Sequence, residues 1–104
     1  MHKQVRASPG AEEELTAAAR WYEGRRAGLG AEFIAAADLA VSQIRELPSS
    51  GSPVRNVPPE LGIRQLQVQR FPYAVVFMDL RAETYILAFA HTRRAPGYWR
   101  GRLT

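Results

Sequence analysis

Two apolar segments decide the fold, YAVVFMDL (residues 73–80) and TYILAFAH (residues 84–91), with three residues between them. Both are rich in β-branched and aromatic residues, which favour strands, and the polar interval predicts a turn near residues 81–83. Residues of both parities are apolar in each segment: Tyr73, Val75 and Phe77 oppose Ala74, Val76 and Met78, and Tyr85, Leu87 and Phe89 oppose Ile86, Ala88 and Ala90. Such strands lie inside a sheet that is covered on both faces.

A third strand precedes these two. Leu66 and Val68 alternate with glutamines at positions 65, 67 and 69, which predicts a strand with one polar face, so the three strands form a meander. The same alternation places Arg70 on the face of Leu66 and Val68. An arginine on an apolar face needs a partner, for which we expect Asp79 or a carbonyl of the C-terminal tail.

Residues 9–47 have helical patterns. Ser8 followed by Pro9 predicts a helix start, because serine caps free amides and proline lacks the amide that would be unpaired. The glutamates at positions 12–14 suit the positive end of that helix. Two apolar stripes follow at helical spacing, separated by a break at residues 24–28: Ala11, Leu15, Ala18 and Tyr22, then Leu29, Phe33, Ala37, Ala40, Ile44 and Leu47. Pro48 ends the second stripe, which predicts a helical hairpin over residues 9–47.

Two other segments have weaker patterns. Residues 3–7 alternate briefly and predict an edge strand. Residues 48–62 contain prolines at 48, 53, 58 and 59, so we expect a loop there, neither a helix nor a central strand. Its length of 15 residues is typical of a functional or mobile connection.

Together these elements predict one α+β domain over residues 1–104, with an N-terminal strand, a two-helix hairpin packed on an antiparallel three- to four-stranded sheet, and a short basic C-terminal tail. The hairpin covers only one face of the sheet, so the other apolar face must meet the tail or a different molecule. We expect Pro96, Tyr98 and Trp99 to close the core there.

Composition limits the class of protein. The formal net charge of +4 favours acidic partners, such as nucleic acid or an acidic protein. The absence of cysteine excludes disulfides and thiolate metal sites. No segment approaches the roughly 20 apolar residues of a membrane span. We therefore expect a soluble, cytoplasmic protein that does not bind membranes.

Most enzyme signatures are missing. His2 and His91 lie far apart in the sequence, so we expect no metal site, and nothing indicates a cofactor. The glycine-rich residues 28–30 have no strand before them and predict a joint between helices rather than a phosphate loop. The glutamates at positions 12–14 point in different directions on a helix, and the helix dipole explains them better than acid–base chemistry.

The tail, which we define as residues 92–103, joins basic and aromatic side chains. Arg93 and Arg94 supply planar donors suited to carboxylate or phosphate. Tyr98 and Trp99 either stack on a partner or fold back onto the sheet, and for Trp99 we expect packing. His91, at the strand end, is interpreted as a residue at the edge of the core because it shares the parity of Tyr85, Leu87 and Phe89.

Three stretches in this order, ARWYEGRRAGLGAEF (residues 19–33), RFPYAVVF (residues 70–77) and ILAFAHTRRAPGYW (residues 86–99), resemble the ParE branch of the RelE/ParE toxin superfamily. The similarity spans nearly the whole chain. It implies the toxin of a type II toxin–antitoxin pair, also known as a plasmid stabilisation system. The partner would be a ParD-like antitoxin, a small and often acidic protein whose C-terminal segment folds onto the toxin.

The superfamily has two activities. ParE-like members poison DNA gyrase, whereas RelE-like members cut messenger RNA on the ribosome without a metal, using basic side chains and an acid–base group. In RelE-like nucleases an arginine commonly follows the aromatic residue that opens the second meander strand. Here Tyr73 is followed by Ala74, which favours the gyrase inhibitor.

Three hypotheses therefore follow from the resemblance. An endoribonuclease would use as catalytic residues Arg70, His91, Arg93 and Tyr98. A gyrase inhibitor would do no covalent chemistry and would engage gyrase through its helical hairpin or its basic tail. The residues that bind a partner, antitoxin or target, would be Arg70, Arg93, Arg94, Tyr98, Trp99 and Arg100. An inactive family member would only bind the antitoxin.

Overall fold

The computed structural model describes residues 4–95 and 97–103. The helices are α1 (Pro9–Arg25) and α2 (Leu29–Glu46), and the strands are β1 (Gln4–Ala7), β2 (Ser52–Pro53), β3 (Ile63–Gln67), β4 (Tyr73–Asp79) and β5 (Glu83–His91). Short 3₁₀ helices span Pro48–Ser50, Pro59–Leu61 and Tyr98–Arg102. Residue 3, where the predicted N-terminal strand begins, lies outside the described residues, and so do His2 and Pro96.

The strands form a single sheet in the order β1-β5-β4-β3-β2. The predicted α+β class, with an N-terminal strand and a two-helix hairpin, is confirmed. The sheet has five strands, because Ser52–Pro53 of the expected loop pairs with β3 at the edge, where a proline is tolerated. It is also mixed, since β1 runs parallel to β5. Alternation in a sequence identifies a strand but neither its neighbour nor its direction.

Helix α1 begins as predicted, and its cap also joins the sheet. The Ser8 hydroxyl accepts a hydrogen bond from the amide of Ala11 at 3.0 Å, with Pro9 in the first turn. The same hydroxyl donates to the carbonyl of Leu87 at 2.9 Å, and Ser8 is 1 % exposed. One serine therefore starts the helix and attaches it to β5.

The joint between the helices lies at residues 26–28, as the glycines predict. Gly28 has a φ of 89°, a left-handed conformation that glycine adopts without strain. The Glu23 carboxylate accepts hydrogen bonds from the amides of Gly28 at 2.9 Å and Gly30 at 3.0 Å, and so caps the start of α2. Leu47, which was predicted on the buried stripe, is 59 % exposed because the helix ends at Glu46 and the backbone turns away.

An irregular pairing in β5 reverses its alternation. Val76 pairs with Ala88 while Phe77 pairs with Ile86, so Leu87 is an extra residue in β5. The prediction that Phe89 and His91 share a face with Tyr85 and Leu87 is therefore wrong. Beyond the bulge these two side chains lie on the helix face: Phe89 is part of the helix-side core, and the His91 ring meets that of Tyr73 at 5.1 Å.

The sheet is covered on both faces. The larger core lies between the helices and the sheet and centres on Phe33, Ile44 and Phe77, each 0 % exposed. On the opposite face Trp99 of the tail packs with Ile63, Val76, Leu87 and Ala88. The prediction that Trp99 folds back onto the second face is confirmed.

Arg70 does not lie on an apolar face, and that prediction is wrong. Strand β3 ends at Gln67, whose side-chain Nε2 donates to the backbone carbonyls of Val68, Phe71 and Tyr73 and so closes a turn. Arg70 adopts a φ of 74° within this turn. Its side chain is 64 % exposed and bonds the Glu32 carboxylate on α2 at 2.9 Å, so its partner is neither Asp79 nor the tail. The hydrogen bond from Arg70 lowers the pKa of Glu32.

Candidate functional site

The edge of β5 is open beyond β1, and side chains satisfy it. β1 ends with Ala7 opposite Ile86, so none of the described strands pairs with the next residues of β5 on that side. The Leu87 carbonyl accepts hydrogen bonds from the Ser8 hydroxyl at 2.9 Å and from Arg102 Nη1 at 3.0 Å. The amide of Phe89 donates to Glu14 Oε1 at 3.1 Å. Side chains from α1 and the tail thus replace a missing strand.

Glu14 is the centre of this arrangement. Besides the Phe89 amide, its carboxylate binds Arg102 through both terminal nitrogens, at 2.9 and 3.2 Å, and accepts a hydrogen bond from the Tyr98 hydroxyl. Arg94 lies 3.7 Å away, and the Glu14 side chain is only 14 % exposed. We name these four side chains, Glu14, Arg94, Tyr98 and Arg102, the Glu14 cluster.

Sequence reasoning missed this role of Glu14, because it assigned all three glutamates to the helix dipole. One signal could have separated Glu14 from its neighbours. Positions 11, 14 and 18 share a face of a helix, and Ala11 and Ala18 are buried. A carboxylate on a buried stripe requires cationic or hydrogen-bonding partners.

The Glu14 cluster changes the acidity of its members. Burial, followed by the hydrogen bond to Glu14, raises the pKa of the Tyr98 hydroxyl above its usual range. The hydrogen bond to Glu14 raises the pKa of Arg102. The guanidinium of Arg94 lies 3.7 Å from the centre of the Tyr98 ring, within cation–π distance. The Tyr98 hydroxyl is therefore a committed hydrogen-bond donor rather than a group that titrates near neutral pH.

This shift predicts an alkaline loss of stability. The raised pKa of Tyr98 means that the unfolded chain loses this proton first, so the free energy of unfolding should fall as pH rises above about 10. Burial also raises the pKa of Tyr22 and Tyr73, which add to the same fall. In Tyr98→Phe the fall should be shallower, as measured by urea unfolding between pH 8 and 11. An unchanged slope would show that Tyr98 titrates normally.

A cleft opens between the tail and residues 52–56. It has a volume of about 690 Å³, and we call it the tail cleft. The floor is the second face of the sheet, with Gln65 and Gln67 on β3 and small side chains on β4 and β5. Of the described residues that line it none is Asp or Glu, whereas Arg55 and Arg94 are arginines. This surface suits a negatively charged partner.

A second groove, of about 600 Å³, lies on the other side of the turn at residues 91–94, which follows β5. We call it the helix groove, and it is formed by α1 and the ends of β4 and β5: Glu14, Ala17, Ala18, Trp21, Tyr22, Pro72, Tyr73, Phe89, His91 and Arg94. Trp21 is 56 % exposed, and the Arg25 guanidinium covers its ring at 4.3 Å. His91 and Arg94 line both clefts, so this turn is the ridge between them.

The predicted partner-binding residues divide into three groups. Arg94 and Tyr98 line the tail cleft, and exposed Arg93 lies beside them with its amide donating to His91 Nδ1 at 3.1 Å. Arg100 donates to the carbonyl of Asn56 and so connects the tail to the loop. Trp99 borders the tail cleft but is only 3 % exposed, so it offers a partner little surface. Arg70 lines neither cleft.

The four candidate nuclease residues are engaged in different ways. Arg70 pairs with Glu32 on α2, and Tyr98 donates to Glu14. His91 packs against Tyr73 and accepts from the Arg93 amide. Only His91 and Arg93 of this set are joined to each other by a hydrogen bond that the described residues show.

Two other properties concern the described residues alone. Within residues 4–95 and 97–103 no group of three or more histidine and acidic side chains is placed to hold a metal ion. No helix in that part of the chain combines the length and the apolar character needed to cross a membrane.

The fold has a counterpart among solved structures. A chain of the "Chromosomal ParDE TA system from P. aeruginosa" superimposes with a TM-score of 0.72 at 19 % identity, covering 86 % of this chain and 95 % of that chain. At this identity the likeness shows the fold alone.

The family is shown by sequence. The family described as "ParE toxin of type II toxin-antitoxin system, parDE" matches residues 5–96. The chain therefore belongs to the ParE toxin family, and the resemblance stated from its motifs is confirmed. A comparison with curated protein sequences finds no match.

Proposed function

We propose that this protein is a type II toxin that inhibits DNA gyrase and that a ParD-like antitoxin neutralises it in the cytoplasm. Membership of the ParE toxin family supports the toxin role. The antitoxin is a small acidic protein whose C-terminal segment docks in the tail cleft. The observation that carries this docking is the tail cleft itself, with arginines and no carboxylate among the described residues that line it.

The engagement of the candidate nuclease residues favours inhibition over RNA cleavage. Metal-free cleavage needs a group that gives or takes a proton near neutral pH, close to several cations. The Tyr98 hydroxyl donates to Glu14 and has a raised pKa, and Arg70 is paired with Glu32 on α2. Ala74 stands where RelE-like nucleases commonly place an arginine. The proposed toxin therefore acts by binding.

The docking part of the proposal predicts a loss of affinity in Arg93→Ala/Arg94→Ala. Two exposed ion pairs at about 0.2–1 kcal/mol each correspond to a roughly 2- to 30-fold weaker complex. The affinity of the antitoxin encoded by the neighbouring reading frame is measured by titration calorimetry at low and high salt. We expect the loss to shrink at high salt.

Arg45→Ala/Arg81→Ala is the matched control, because it removes the same charge from exposed positions on α2 and the β4–β5 turn. If long-range attraction alone sets the affinity, both double variants weaken binding equally. That result, or an unchanged affinity in Arg93→Ala/Arg94→Ala, would contradict docking at the tail.

The activity is tested on purified protein by two parallel assays. In the first, gyrase supercoils plasmid DNA and cleaved DNA is trapped; in the second, messenger RNA is examined on translating ribosomes. We expect cleaved DNA to accumulate while the RNA stays intact. RNA cuts that disappear in Arg93→Ala would instead establish a nuclease, and two negative assays would leave an antitoxin-binding protein without toxicity.

A further inference from the structure

The Glu14 cluster connects parts of the chain that are distant in sequence. Glu14 bonds Tyr98 and Arg102 across 84 and 88 residues, and it bonds the Phe89 amide on the open edge of β5. One carboxylate on α1 therefore contacts three side chains of the tail as well as the strand from which the tail departs.

A glycine on α1 makes room for this contact. A Cβ at Gly10 would lie 2.5 Å from the guanidinium carbon of Arg102, closer than such atoms approach in proteins. The absence of a side chain at Gly10 thus admits the guanidinium to the first turn of α1, where Arg102 reaches Glu14 and the Leu87 carbonyl. Two separate features of α1 therefore define the position of the Arg102 side chain: the Glu14 carboxylate and the absence of a side chain at Gly10.

Two further contacts of the tail do not involve Glu14. Trp99 packs in the core on the second face of the sheet, and Arg100 donates to the Asn56 carbonyl. Residues 92–95 are exposed. Arg94 is the exposed member of the Glu14 cluster, and it forms part of the wall of the tail cleft and of the ridge. Glu14 therefore contacts the wall of the tail cleft through Arg94 and Tyr98.

We propose that Glu14 is a positioning residue, which holds the tail against α1 and thereby shapes the tail cleft for its acidic partner. The consequence for partner binding rests on the proposed function, whereas the placement of the tail does not. Two physical effects of the carboxylate oppose each other. As a negative charge it reduces attraction for an acidic partner, and as an anchor it keeps Arg94 and Tyr98 in place.

These opposing effects make Glu14→Gln informative. The substitution keeps the size of the side chain and raises the net charge by one. If Glu14 were only a local charge, the variant would bind an acidic partner more tightly. If Glu14 positions the tail, the variant binds more weakly although its charge is more favourable. Glu13→Gln, at an exposed site one residue away on α1, makes the same change in charge and is the control.

The first experiment needs no partner. Amide hydrogen exchange is followed by NMR in wild type, Glu14→Gln and Glu13→Gln. In Glu14→Gln we expect protection of the Phe89 amide to fall roughly tenfold, since its charged acceptor is replaced by a weaker, neutral one. The amides of residues 100 and 103 in the tail should exchange faster too, while those of β4 keep their protection. Unchanged exchange at Phe89 and in the tail would overturn the proposal.

The second experiment measures the affinity of the antitoxin from the neighbouring reading frame. We expect Glu14→Gln to bind at least about threefold more weakly than Glu13→Gln, a loss comparable to that of one exposed ion pair. Equal or tighter binding would overturn the positioning role. If wild type itself fails to bind, the proposed function fails, and the exchange data still decide whether Glu14 holds the tail.

Arg102→Gln keeps the proposal testable if Glu14→Gln does not fold. It removes the two hydrogen bonds between Arg102 and Glu14 by changing the donor instead of the acceptor, and the same exchange and affinity changes are expected. Where all variants fold, Glu14→Gln/Arg102→Gln should show little more change than either single variant, because both substitutions break the same pair. Additive effects would show that the tail is held independently of the pair.

Discussion

Trp99→Ala is expected to lower the free energy of unfolding by about 3–5 kcal/mol, the range for removing a large aromatic side chain from a core. Trp99 is 3 % exposed and packs on the sheet face that the helices leave uncovered. A domain of this size has about 5–15 kcal/mol of stability, so the loss is a large part of the total. Urea unfolding followed by circular dichroism measures it.

The chain contains its own control for this prediction. Trp21 is 56 % exposed on α1, and Trp21→Ala should change the free energy of unfolding by about 0.5 kcal/mol or less. Equal losses in the two variants would show that Trp99 is not the centre of the second core. It would then be available to a partner, as its place in the predicted binding set requires.

Gly30→Ala is expected to lower the free energy of unfolding by about 1–3 kcal/mol, the cost of forcing extra atoms into a packed site. A Cβ at this position would lie 2.6 Å from the backbone carbonyl oxygen of Ala19. A backbone atom in a helix cannot move aside as a flexible side chain can, so α1 and α2 would have to separate. The Gly30 amide would then lose its hydrogen bond to Glu23, now 3.0 Å long.

Gly24→Ala tests the same chemical change without the crowding. Gly24 lies within α1, and nothing lies within 4 Å of a Cβ placed there. Alanine restricts the unfolded chain and favours the helix, so a gain of about 0.5–1 kcal/mol is expected. Thermal unfolding of both variants distinguishes the cases. A Gly30→Ala protein as stable as Gly24→Ala would mean that the helices do not approach closely at this joint.

Local chemistry explains why so many elements could be predicted. Ser8 and Pro9 start α1 through contacts within one turn, and Pro48 stops α2 because it cannot continue the hydrogen-bond ladder. The apolar stripe through Phe33, Ala37 and Ile44 is buried as its spacing predicts, and β4 is buried centrally. These signals lie within a few residues of their effects.

The failed predictions for Arg70 and His91 have one cause in common. Both positions were extrapolated from alternation, which holds only while a strand stays regular. β3 ends three residues before Arg70, and the extra residue Leu87 shifts the face of everything after it in β5. Neither event has a local signature, since a bulge depends on pairing with β4.

For the candidate site, the sequence indicated the basic and aromatic tail, and the packing of Trp99 is as predicted. It did not indicate Glu14, because the contacts of this carboxylate come from residues 75 to 88 positions away. Two statements stay predictions: that the tail binds a partner, and that the protein acts on gyrase.

The sequence by itself determined the α+β class, the helical hairpin, the central strand and the family, because helix caps, periodicity and motifs are encoded by neighbouring residues. Only the tertiary structure decided the parallel pairing of β1, the face of His91, the partner of Arg70 and the role of Glu14. Those depend on contacts between groups that are distant in the sequence. At the open edge of β5, burial then makes the pairing of each polar group obligatory.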